Sequence, residues 1–169
     1  MTAKLKKRRV RSRPPGRRWQ EWPDRTDLLE KPMGRFSVDV QVANYGDILH
    51  AEQGTLDPDK VRRVTIRGVV DPGASRLVLP RAVVDQLGLP RRGRTRVRYA
   101  DGRTAWRDNV QGVWLSLQGR EAIYVAVVEP KRDSALIGAI VLEDLDFLVD
   151  CKTQQLVPRD PKGILSEIE

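Results

Sequence analysis

The chain has 169 residues, room for one domain and a tail. Its 31 Lys+Arg exceed its 23 Asp+Glu, giving a net charge of +8, but residues 1–35 hold 12 basic and 4 acidic residues while the remainder balances at 19 of each. A single cysteine (Cys151) and a single histidine (His50) exclude an internal disulfide and a thiolate-rich or multi-histidine metal site within one chain. The expected complement is no metal and no cofactor.

The basic surplus sits in a tail, residues 1–33. Residues 1–18 contain nine Lys/Arg, no acid, and Pro14-Pro15-Gly16. So little apolar surface cannot offset the entropy of ordering, and the tail is expected to be disordered. It reads either as a solubilising extension or as a weak nucleic-acid contact through residues 1–18. Trp19 and Trp22, beside Pro23, are expected to fold back onto the domain. No apolar run approaches the ~20 residues of a membrane helix, and the basic N-terminus lacks the apolar core of a secretory signal. No membrane partner is expected. With one cysteine, the location expected is the cytoplasm.

A domain is expected over residues 34–158. Phe36, Val38, Val40 and Val42 alternate with polar residues, the period of a half-buried strand. Asn44-Tyr45-Gly46-Asp47 reads as a turn, and residues 48–60 as a surface loop with a short helical piece and a solvated His50. Val61, Val64, Ile66 and Val69 form a strand running into Asp71-Pro72-Gly73-Ala74-Ser75, and Leu77-Val78-Leu79 leaves it. A carboxylate in a turn between apolar strands is either a catalytic device or a turn-former. Pro80, the apolar spacing of Ala82, Val83 and Leu87, and Gly88 predict a helix over 81–87.

Residues 94–99 alternate, with Arg94, Arg96 and Arg98 on one face. That stripe could select an acidic substrate, meet nucleic acid, or be the wet side of a sheet. Ala100-Asp101-Gly102-Arg103 is a hairpin turn. Residues 110–117 and 122–128 form a second hairpin around Gln118-Gly119-Arg120, with Trp106 and Trp114 packing on the strands. Ala135-Leu136-Ile137-Gly138 is a short strand ending in glycine, and residues 140–145 make a helical turn or two. Asp144 and Asp146 read as surface or capping acids. Residues 147–149 and 155–157 flank a turn at Cys151-Lys152-Thr153, and 159–169 form an extended arm. The class is mainly β: a small closed barrel with one or two short helices.

Three segments in this order resemble the retropepsin-like aspartic proteases, small bacterial members in particular. Asp71-Pro72-Gly73-Ala74-Ser75 is similar to the Asp-Thr/Ser-Gly-Ala signature of the catalytic loop. Tyr99-Ala100-Asp101-Gly102-Arg103-Thr104 lies where the flap hairpin falls, and Leu136-Ile137-Gly138 resembles the motif packed beneath the catalytic loop. The segment 142–158 is similar to the closing helix and strand. The resemblance implies a homodimer acting on a peptide or protein substrate. It would hydrolyse peptide bonds with a pair of Asp71 carboxylates sharing one proton, beneath a flap formed by Tyr99, Ala100, Asp101, Gly102 and Arg103. One residue departs from the family pattern. Pro72 stands where the family has Thr or Ser, whose N–H and hydroxyl bond across the dimer; proline has neither. The alternative is therefore a catalytically impaired dimerisation or peptide-binding domain.

Overall fold

Alternation of apolar and polar residues builds most of this structure, a computed structural model that describes residues 35–160 and Lys162. The expected tail with Trp19 and Trp22, and all of the 159–169 arm except residues 159, 160 and 162, lie outside the described residues. Strand β1 (Phe36–Asn44) pairs antiparallel along its length with β2 (Arg63–Val70), sending Val40 and Val42 into the core. β2 then runs parallel to β7 (Ala135–Ile137). β3 (Val78–Pro80) bridges β7 on one side and runs parallel to β6 (Arg120–Glu129) on the other. β6 pairs antiparallel with β5 (Thr104–Leu117), and β5 returns to β1 through Gln41–Asn44. That last pairing closes six strands into a barrel and leaves no free edge among them.

The interior is aliphatic. Val42, Val70, Leu79, Leu87, Val110, Leu115 and Ile137 are wholly buried within one continuous cluster. β5 is long enough for two tasks. Its C-terminal half belongs to the barrel, while its N-terminal half projects as a hairpin with β4 (Arg91–Arg98). The two halves meet at a bulge where Gly112 takes φ +71°, a conformation side chains other than glycine's rarely adopt. A separate hairpin, β8 (Phe147–Asp150) with β9 (Gln155–Pro158), follows α3 (Ala139–Asp144).

The mainly β barrel with few short helices is as expected. Helix α2 spans Arg81–Leu87 and stops at Gly88, whose φ is +59°. Four local readings differ. Asn44–Asp47 is not a turn but the start of α1 (Tyr45–Glu52), because the Asn44 side chain accepts the N–H groups of Gly46 and Asp47 and caps the helix. Val61 precedes β2 and is buried on its own. Trp106 is 56% exposed, since it sits on the projecting hairpin beyond the barrel wall, opposite Arg96. Asp146 is buried, not a surface acid: Arg120 and Arg159 pair with it, and it accepts the Asp160 N–H. Asp144 accepts the Tyr124 hydroxyl at 2.7 Å. His50 contacts Thr55 at the surface, and Cys151 is exposed. Among the described residues no helix is long and apolar enough to cross a membrane.

Asp47 ties α1 to the chain entering β2. Its carboxylate receives both Nε and Nη2 of Arg62 at 2.7 Å and the Arg62 backbone N–H at 3.0 Å. The Arg62 hydrogen bonds hold the carboxyl below its usual range. A lowered folded pKa stabilises above the unfolded value, and that stabilisation is lost as pH falls through the folded value. Arg62 is half-exposed, so Asp47→Asn should cost only about 1–2 kcal/mol at neutral pH. Denaturant unfolding at pH 7 and below pH 4 checks this: the gap between wild type and variant should close in acid.

Candidate active site

The turn carrying Asp71 leaves the buried end of β2 at Val70 and re-enters the barrel at Leu77, also buried. Its shape is held by backbone bonds to one partner segment. The Asp71 N–H donates to the Ile137 carbonyl at 3.0 Å; the N–H groups of Ala139 and Ile140 donate to the carbonyls of Ala74 (2.8 Å) and Ser75 (3.1 Å). The first N–H groups of a helix lack partners within it, so the opening turn of α3 is completed by this loop. Leu77 adds its carbonyl, accepting the Val127 N–H at 3.0 Å. Leu136, Ile137 and Gly138 therefore lie against the Asp71 turn, Leu136 and Ile137 as part of β7.

Gly138 allows that approach. A Cβ there would lie 2.6 Å from the Arg76 carbonyl oxygen, 2.7 Å from its nitrogen and 2.8 Å from the Ala74 oxygen. All three are backbone atoms with no room to yield.

Within the turn, Oδ1 of Asp71 accepts the Gly73 N–H at 3.1 Å and Oδ2 pairs with Arg35 Nη2 at 2.7 Å. The Asp71 side chain is 13% exposed and that of Arg35 55%. The pair follows from register: Phe36 faces Val70, which sets Arg35 beside Asp71. Pro72 is exposed and offers no N–H.

A cleft of about 690 Å³ runs beside this turn, lined on one side by Gly73, Ala74 and Ser75 and on the other by the β4–β5 hairpin. The hairpin turn is made by Tyr99–Arg103 bonds: Gly102 N–H to the Tyr99 carbonyl at 2.9 Å and Tyr99 N–H to the Arg103 carbonyl at 2.8 Å. Asp101 accepts Arg103 Nε at 2.6 Å and its N–H at 3.0 Å, which lowers the Asp101 carboxyl pKa. It is a turn-former. Ala100 and Gly102 are exposed at the tip.

Below the tip, three residues brace the hairpin to the barrel. The Tyr99 hydroxyl donates to Glu129 Oε2 at 2.6 Å, Arg107 Nε donates to the same oxygen at 2.9 Å, and the Arg107 guanidinium lies 5.6 Å from the Tyr99 ring centroid. Burial pushes the Glu129 carboxyl up, but the hydrogen bonds from Arg107 and Tyr99 outweigh it and hold the group below its ordinary range. Burial and the neighbouring carboxylate push the Tyr99 hydroxyl up. Sequence reasoning missed Arg35, Arg107 and Glu129. Their partners lie far along the chain, and only strand register brings them together. Among the described residues no cluster of His, Cys, Asp and Glu could hold a metal ion.

The family model described as "Aspartyl protease" matches residues 58–150, a stretch containing the Asp71 turn, the β4–β5 hairpin and Leu136-Ile137-Gly138. The chain belongs to the aspartyl protease family. Among solved structures it is similar to the EIAV protease complexed with the inhibitor HBY-793, at 19% identity and TM-score 0.46, covering 69% of this chain and 90% of that one. It is also similar to the simian foamy virus (mac) protease in solution, at 15% identity and TM-score 0.40, covering 63% of this chain and 91% of that one. None of the curated proteins matches it. In this member of the aspartyl protease family, Gly138→Ala should force the Asp71 turn and α3 apart. The overpacking cost is about 1–3 kcal/mol, read as a lowered melting temperature together with faster amide exchange at Asp71, Ala139 and Ile140.

Proposed function

We propose that this protein is an aspartic endopeptidase whose working unit is a homodimer. Asp71 and the same residue of a second copy would share one proton, one carboxylate acting as base toward water and the other as acid toward the scissile amide. Two carboxylates in contact cannot both ionise, so one proton stays between them at working pH. The observation that carries the reading is the Asp71 turn itself. The turn that carries this carboxylate is held by backbone bonds, and its Gly73, Ala74 and Ser75 line a cleft whose other side is a hairpin projecting from the barrel. Family membership supports the reaction class. The flap hairpin would close on an extended peptide and exclude water.

The chain has one Asp-x-Gly between apolar strands, so the second carboxylate has to come from another copy. An apolar surface is available for that contact. Leu148 and Val157 face one another across β8–β9 and are 51% and 41% exposed, and Ile140 at the start of α3 is 48% exposed. Exposed apolar groups paired across strands, as Leu148 and Val157 are, favour an interface.

Pro72 favours a second reading, a dimerisation or peptide-binding domain with little turnover. It lacks the N–H and hydroxyl that would tie the two turns together. A misplacement of about 1 Å costs on the order of a hundredfold in rate.

One set of assays separates the readings. A peptide mixture is digested over a range of pH and protein concentration with wild type, Asp71→Asn and Pro72→Thr. The endopeptidase reading expects Asp71→Asn to lower kcat by about 10²–10⁴-fold and specific activity to fall on dilution through the dimer dissociation constant. Equal turnover in wild type and Asp71→Asn sinks it. The impaired-domain reading expects a silent wild type, with kcat raised by about a hundredfold in Pro72→Thr.

A further inference from the structure

The charge of the cleft is unlike that of the domain around it. Residues 36–169 carry equal numbers of acids and bases, yet the residues lining the cleft include seven cationic ones and one carboxylate. That carboxylate, Glu129, is already held by Arg107, and Arg103 is paired with Asp101 at the flap tip. Five cations remain: Arg76 from the Asp71 turn, Arg96 and Arg98 from β4, and Lys131 and Arg132 beyond β6. None of the five forms an ion pair with a described residue. The acids that neutralise the rest of the domain are elsewhere.

We propose that the cleft selects acidic peptides, with aspartate or glutamate side chains at alternate positions flanking an apolar cleavage point. This rests on the cleft being the substrate cleft of the endopeptidase proposed above. Three observations fix the class. The inner wall is apolar, from Val78, Val127 and Leu136, so the middle of the ligand is apolar. Arg96 and Arg98 are two residues apart on one strand face, which places their Cα atoms about 7 Å apart. That is the spacing of side chains i and i+2 of an extended peptide laid along β4. The cations come from both sides of the cleft, so a peptide threading it meets positive charge from the Asp71 turn and from the flap.

A nucleic-acid strand fits less well. It would stack bases on aromatic rings, and the one aromatic residue lining the cleft, Tyr99, has the guanidiniums of Arg103 and Arg107 each 5.6 Å from its ring centroid. Cations gathered in a cleft with low-dielectric walls raise local anion concentration and association rates by about 10–10³-fold, and salt removes the effect.

The test uses the full chain and three extended peptides with one apolar centre and flanking residues Glu, Gln or Lys. Binding to Asp71→Asn is followed by fluorescence anisotropy, and cleavage by wild type as kcat/KM, at low salt and at high salt. The expected order is Glu, then Gln, then Lys, with at least about tenfold between the extremes that collapses in salt. Arg98→Glu should weaken the Glu peptide and improve the Lys peptide, a reversal that a folding defect would not produce. The assignment is overturned by equal binding of the three peptides or by a preference for Lys. It is also overturned if Arg98→Glu leaves the order unchanged, which would point to residues 1–18, or if a single-stranded oligonucleotide binds Asp71→Asn more tightly than the Glu peptide. Charge-ordered binding without cleavage by wild type would reject the peptidase reading and keep this one. Cleavage without charge order would do the reverse.

Discussion

The backbone bonds between the Asp71 turn and residues 137–140 are the constraint on which the site depends. Three amide hydrogen bonds, at 2.8 to 3.1 Å, join a turn with almost no regular structure to the end of one strand and the start of a short helix. The bond to Ile137 satisfies the carbonyl of a buried residue, and leaving such a group unpaired costs about 1–3 kcal/mol. The turn is therefore held in place from outside itself. Gly138 is the condition for it, because any side chain there would meet backbone on the opposite wall.

Barrel closure supplies the second level of support. β7 contributes only three residues, yet it stands between β2 and β3, the two strands that enter and leave the turn. Pairing of β1 with β5 then locks the ring, and β1 carries Arg35 up to Asp71 at its open end. The same β5 forms the hairpin before its Gly112 bulge and the barrel wall after it, so one strand serves both. Glu129 joins the two regimes. It ends β6 inside the barrel and holds Tyr99 and Arg107 of the hairpin through one oxygen.

Electrostatics separates turn-making charges from available ones. Asp101 is consumed by Arg103 at the hairpin tip and Glu129 by Arg107 and Tyr99, whereas Arg96 and Arg98 of β4 and Arg76 of the Asp71 turn form no ion pair among the described residues. In the sequence, Arg94, Arg96 and Arg98 were compatible with a wet sheet face. Their meaning changed because β4 is not a barrel strand. It pairs with β5 alone, where Arg96 and Arg98 are among the residues lining the cleft while Arg94 pairs loosely with Asp108.

What was legible in the sequence was local chemistry with a short reach. Period-two alternation marked β1 and the hairpins, proline and glycine bounded α2 at Arg81 and Gly88, and the Asp71 turn stood out because apolar strands flank it. At Asn44 the sequence suggests a turn where the structure has a helix cap, since an Asn-x-Gly-Asp run suits both and the Asn44 side chain's bonds to the Gly46 and Asp47 N–H groups decide for the helix. Exposure of Trp106 and burial of Asp146 could not be read, because hydropathy speaks of a residue and not of which element lies over it. By itself the sequence determined the elements, the single carboxylate turn and the glycine motif, since these follow from backbone preference and side-chain period. Only the tertiary structure decided that Arg35 reaches Asp71, that Glu129 holds Tyr99, and that the cleft gathers unpaired cations. Those are contacts between residues 22 to 36 positions apart or more, and strand register, which no local pattern encodes, brings them within hydrogen-bond range.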